Sequence, residues 1–144
     1  MSRFLFLLVC ISSFLYADTP VMGPVSGTWT AGESPYILEG DTSVPSGETL
    51  TMEPGTVVRS NGSYSLTIYG QLITQASGAT GVTLTSNAPS PAKGDWVGII
   101  LEDGAILTGD HLSISYAEYG IHILQNSPTA SLTAIAESAP QIQF

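Results

Sequence analysis

An apolar, small, apolar triplet recurs along the chain as Leu50-Thr51-Met52, Leu66-Thr67-Ile68, Val82-Thr83-Leu84, Val97-Gly98-Ile99 and Leu112-Ser113-Ile114. Its first positions step by 16, 16, 15 and 15 residues, and its third positions step identically. Apolar residues two apart are the period-two signature of a β-strand, and a strand that returns at a fixed interval marks a stacked solenoid. The pattern predicts one such strand per coil. Leu50, Leu66, Val82, Val97 and Leu112 would form one interior file, and Met52, Ile68, Leu84, Ile99 and Ile114 a second. Ile68 is then expected between Met52 and Leu84.

Turn residues punctuate the intervals. Pro45-Ser46-Gly47 and Glu53-Pro54-Gly55 each place Pro ahead of a Gly that can take positive φ, as tight turns require. The second turn leads into Thr56-Val57-Val58, a further strand, and Tyr69-Gly70 leads into Gln71-Leu72-Ile73, so Gly55 and Gly70 are expected in equivalent places. Ser60-Asn61-Gly62-Ser63 and Gln75-Ala76-Ser77-Gly78 read as polar return loops. Asn61-Gly62 would equally suit an antiparallel hairpin, and with it a sandwich or meander. The constant step of the triplets favours stacked coils, which must keep the same files to continue one core. The coils are expected over residues 33–126, with Tyr36-Ile37-Leu38-Glu39 as a short capping strand.

The flanks differ in character. Residues 1–17 carry Arg3, an apolar run from Phe4 to Leu15 and Ala17, the layout of a secretory signal peptide cleaved ahead of Asp18. Residues 18–32 are rich in Pro, Gly, Ser and Thr without period and read as a linker leading to a cap. The last recognisable coil is Leu112 to Tyr116, turned by Ala117-Glu118-Tyr119-Gly120 into Ile121-His122-Ile123. After Gln125 the period fades, and residues 127–144 read as an atypical tail. A solenoid end without a polar cap exposes strand edges and favours edge-to-edge self-association. The chain is expected to be the N-terminal piece of a longer array.

Charge narrows the partners. Twelve acidic residues face three basic ones for a net charge of −9, and Arg3 lies in the leader, leaving Arg59 and Lys93. Phosphate binding needs clustered Lys and Arg, so nucleic acid is not an expected partner. The single cysteine, Cys10, also lies in the leader, so no disulfide is expected in the exported chain. The apolar run is too short for a comfortable membrane span.

The run from Gly40 to Val58, which includes Pro45-Ser46-Gly47 and Glu53-Pro54-Gly55, is followed by Tyr64-Ser65-Leu66-Thr67-Ile68-Tyr69-Gly70 and later by Gly94-Asp95-Trp96. In that order and setting these residues resemble the opening coils of secreted bacterial proteins of the pectate-lyase-like superfamily, over roughly residues 27 to 123. The resemblance implies a right-handed parallel β-helix of about five coils with an N-terminal cap. It implies no single activity, because the superfamily holds lyases, hydrolases, adhesins and many non-enzymatic surface proteins.

Lyase chemistry, as the resemblance implies it, wants clustered acids holding Ca²⁺ beside a basic residue. Arg59 and Lys93 lie outside any acidic strand triplet, and no Asp-Asp or Asn-x-Asp pair occurs for a glycosidase. Glu102, Asp103 and Asp110, flanked by His111, are the candidate calcium ligands; the alternative is that they are solvated loop acids. His122 alternates with Ile121 and Ile123 and should face away from them. Neither His111 nor His122 has an evident orienting partner. Tyr69, Trp96, Tyr116 and Tyr119 are candidate platforms for a sugar ring, or else covers for the corners. Thr51, Thr67, Thr83, Gly98 and Ser113 would make one outward rank of small groups, interrupted at Gly98, of the kind that orders water. The function expected is an exported scaffold or binding module at the cell surface or outside the cell, the periplasm included. Polysaccharide or cell-surface components are the expected partners. The alternative is the first part of a polysaccharide lyase or glycoside hydrolase.

Overall fold

The computed structural model describes residues 17–124 and, for the backbone alone, residues 129–132 and 135–138. The expected signal peptide, but for Ala17, and most of the expected tail from 127 lie outside the described residues. The protein is all-β, with parallel strands throughout its ladders and a strongly curled sheet compatible with a β-solenoid.

The strands in chain order are β1 (Thr19–Pro24), β2 (Gly27–Trp29), β3 (Tyr36–Val44), β4 (Thr49–Met52), β5 (Val57–Ser60), β6 (Ser65–Ile68) and β7 (Gln71–Thr74). There follow β8 (Val82–Ser86), β9 (Gly98–Leu101), β10 (Ile106–Gly109), β11 (Leu112–Ser115), β12 (Ile121–Ile123), β13 (Thr129–Leu132) and β14 (Ile135–Ser138). They fall into three parallel ladders that the chain visits in a fixed order. Ladder one holds the first half of β3, then β5, β8, β11 and β14. Ladder two holds the second half of β3, then β6, β9 and β12. Ladder three holds β2, β4, β7, β10 and β13.

This arrangement corrects the expected register. Ile68 pairs with Val44 on one side and Leu101 on the other, not with Met52 and Leu84. Leu50 pairs with Leu72, and Leu66 pairs with Ile99 two places out of the expected register; only the Val82 and Leu112 triplets pair position for position. Each pass carries about three strands, not the two expected, and the triplet lies whole only in β4, β6, β8 and β11. The step of 15 or 16 residues therefore mostly measures two strands of three. From Leu50 to Leu66 the chain skips β5, and from Leu66 to Val82 it skips β7. Gly55 and Gly70 accordingly sit at different corners: Gly55 lies between ladders three and one, where its N–H reaches Gly81 O, and Gly70 lies between ladders two and three.

Burial alternates along the strands, because each sheet turns one face to the interior and the other to water. In β4 and β7 the pattern is half-buried then buried, twice over. The interior files are Leu50-Leu72-Leu107, Leu66-Ile99-Ile121, Val44-Ile68-Leu101 and Tyr36-Val58-Leu84-Ile114, almost all of them fully buried. The Trp29 ring stacks on Tyr36 at 4.4 Å with 9° between planes and covers one end of this core. Tyr36-Ile37-Leu38-Glu39, expected as a short capping strand, opens the longer β3, with Tyr36, Ile37 and Leu38 buried and Glu39 exposed.

Residues 18–32, expected as linker, supply β1 and β2. Pro20 and Pro24 are tolerated because β1 pairs only with β3, and an edge strand can lack donors on its open side. The outward rank also resolves differently. Thr51 lies on ladder three, Thr67 on ladder two, and Thr83 and Ser113 side by side on ladder one. Gly98 is buried with φ 113° against Gly120 O, so the five groups do not share a face.

Candidate functional site

One recess lies at the corner between ladders two and three. Tyr69 N and Gly70 N both donate to Val44 O, at 2.9 and 3.1 Å, and Gln71 N donates to Glu48 O at 2.9 Å. These bonds press Gly70 onto the turn below. A Cβ on Gly70 would lie 2.3 Å from both Pro45 O and Glu48 O, so only glycine fits. The chain then rises so that Thr49, Gln71 and Ile106 stand in register on three successive strands of ladder three, facing out.

The cleft so formed holds about 210 Å³ and is lined by Glu48, Thr49, Tyr69, Gln71, Gly104 and Ile106, among others. Tyr69 is 47% exposed and Ile106 40%, two of the four large apolar side chains that reach solvent among the described residues. Thr49 Oγ1 stands 3.5 Å from Gln71 Oε1, which leaves most of the amide's hydrogen-bonding capacity toward the cleft. An aromatic face and an aliphatic one beside a carboxylate and an amide suit an amphipathic ring with hydroxyls. The volume is below the roughly 300–1,000 Å³ of drug-sized sites, so it fits about one such ring.

The other expected platforms lie elsewhere. Trp96 is buried, and its Nε1 donates to Ser115 O at 2.9 Å, so it is core and offers no face to a ligand. Tyr116, at φ 59°, and Tyr119 belong to the corner between ladders one and two. The Tyr119 ring packs on His122 at 4.6 Å, and its phenol is pushed above the ordinary range chiefly by the neighbouring Glu118 carboxylate. His122 faces outward as expected, beside Ile100 of the neighbouring strand.

The calcium set is not brought together. Glu102 continues β9 one rung beyond Tyr69, and Asp103 follows it at the rim of the Tyr69 corner. Asp110 stands at the far end of β10, a strand about 13 Å long. No three His, Cys, Asp or Glu residues gather as a metal site among the described residues. Asp110 is instead bonded to His111, Oδ1 to Nδ1 at 2.7 Å, both side chains being over 40% exposed. His111 thus has the orienting partner that its sequence context did not reveal.

A second recess of about 250 Å³ lies at the corner between ladders one and two, lined by Ser60, Asn61, Gly62, Ser86, Asn87 and Asp95, among others. Asp95 Oδ2 accepts from Ser86 Oγ at 2.7 Å and from Ala92 N at 3.0 Å. The Ala92 N–H first, and the Ser86 hydroxyl second, hold the Asp95 carboxyl below its ordinary value. Asn87 Nδ2 donates to Asn61 Oδ1 at 3.4 Å across one rung.

Sequence reasoning found Tyr69 but missed Glu48, Thr49, Gln71 and Ile106, since these come from three passes and meet only once the true register is known. No helix among the described residues is long and apolar enough to cross a membrane. In comparisons with known proteins, the chain matches no protein-family model, no curated protein and no solved structure.

Proposed function

We propose that the chain is an exported right-handed parallel β-helix of about five coils with an N-terminal cap, akin to the pectate-lyase-like proteins it resembles, and that it serves as a non-enzymatic scaffold and binding module for polysaccharide at the cell surface or outside the cell. The Tyr69 cleft carries this reading. Its lining pairs one aromatic face with Ile106, Gln71 and a single carboxylate, Glu48, which is a binding set. A glycosidase would place two carboxylates across the scissile bond. Glu48 and the net charge of −9 favour a neutral sugar over a uronate.

The test is titration of the purified full chain with neutral oligosaccharides and, separately, with oligogalacturonate in millimolar Ca²⁺, followed by calorimetry and by product absorbance. Saturable binding of a neutral sugar without turnover is the expected result. Cleavage of either substrate would replace the binding reading with the enzymatic one, and the absence of binding to both would overturn it.

A further inference from the structure

We propose that Asn61 is a site of spontaneous modification, at which the backbone nitrogen of Gly62 closes on the Asn61 side-chain amide and the corner between ladders one and two converts with time to aspartate and isoaspartate. Asn61 is exposed, and Gly62 presents no Cβ to hinder closure. The backbone on both sides is held, Asn61 N by Leu38 O at 2.9 Å and Tyr64 N by Gly62 O at 2.8 Å. Gly62 N itself has no hydrogen-bond partner among the described residues, so the nucleophile is free. The electrophile is primed as well: Asn61 Oδ1 accepts from Asn87 Nδ2, which draws density from the amide carbon and leaves Asn61 Nδ2 without a protein partner among the described residues.

The step balances without an external oxidant or reductant. Gly62 N loses its proton to solvent base and bonds to Asn61 Cγ, the Cγ–Nδ2 bond breaks, and Nδ2 takes up a proton and leaves as ammonia. One water then opens the five-membered succinimide. Opening at Cγ gives aspartate, and opening at the backbone carbonyl gives isoaspartate, with the main chain one methylene longer. Either product puts a carboxylate into the recess that Asp95 already lines. The longer backbone falls between Asn61 N, which donates to Leu38 O, and Gly62 O, which accepts from Tyr64 N.

Asn87 is an internal control. It lines the same recess, but Ala88 follows it with a Cβ, and Ala88 N is occupied by Ser86 Oγ at 3.0 Å. Incubation of the folded full chain at mildly alkaline pH, followed by peptide mapping, should show acid gain at Asn61 on the order of ten-fold faster than at Asn87, with both isomers present and a rate that rises with pH. Gly62→Ala should slow conversion by a similar factor. A Cβ at Gly62 would come within 2.9 Å of the Tyr64 ring, so Asn61→Gln serves as a second variant, keeping an amide while removing five-membered closure. Equal rates at Asn61 and Asn87, or acid gain at position 61 in the glutamine variant as fast as in the parent, would overturn the proposal.

Discussion

Gly81 and His111 meet backbone to backbone: a Cβ built on Gly81 would stand 1.8 Å from the His111 carbonyl oxygen. Gly81 is one rung above Gly55 at the corner between ladders three and one, and backbone cannot yield there as a flexible side chain would. Gly81→Ala should therefore cost more than about 2 kcal/mol, whereas Gly32→Ala, whose Cβ would have no neighbour closer than 3.9 Å, should stay within about 0.5 kcal/mol. Denaturant unfolding of both variants reads the difference. Similar losses would mean that the two strands do not approach as described.

Ile68 is fully buried between Val44 and Leu101, while Thr67 points outward between Ser43 and Ile100. Ile68→Asp would bury an unpaired carboxylate and should cost more than about 4 kcal/mol, enough to abolish folding. Thr67→Asp should cost less than about 1 kcal/mol. Circular dichroism and thermal melts distinguish them, and equal damage would be incompatible with the inward and outward faces of ladder two.

The strands themselves were legible and their neighbours were not. Apart from Val97, which precedes β9 and sits at a corner, every residue of the recurring triplets lies in a strand. Alternation is a local signal, written in residues two apart, whereas pairing in a parallel ladder joins residues 17 or more apart and depends on the loops between. A near-constant step along the chain was thus compatible with a different set of contacts. Trp96 illustrates the same limit for the site. An aromatic beside Gly94-Asp95 reads equally as a platform or as a plug, and only the Ser115 carbonyl that receives its N–H decides for the plug.

Asp95 gives the corner recess a pH signature. Its folded value is depressed below the ordinary 3.8 by the Ala92 N–H and the Ser86 hydroxyl, so its contribution to stability is present above that value and is lost as pH falls below it. Asp95→Asn should be less stable than the parent at neutral pH, and the gap between their melting temperatures should close in acid below 3.8. A gap that stays constant across that range would remove ionisation from the account.

Within the proposed binding module, Tyr69→Ala should weaken neutral oligosaccharide binding by roughly three- to ten-fold through loss of the ring face, with the fold intact because Tyr69 is exposed and outside the core. Tyr116→Ala, at the other corner, should leave affinity unchanged. Calorimetric titration of both variants provides the comparison, and the opposite ranking would move the site.

Export makes a prediction of its own. Chain recovered from outside the cytoplasm should begin near Asp18 by mass spectrometry. Soluble cytosolic material that retains Met1 as the only product would count against a cleaved leader.

The connections between ladders one and two take four residues after β5, eleven after β8 and five after β11, yet Leu66, Ile99 and Ile121 remain aligned. Length at this corner is decoupled from alignment in the walls, so the segment around Pro89-Ser90-Pro91 can grow or change sequence without a shift of any rung. The protein is in this respect an addressable frame. A foreign peptide grafted there would be displayed at a height and angle set by the ladders on either side, and new recognition could arise at one corner while the others keep theirs.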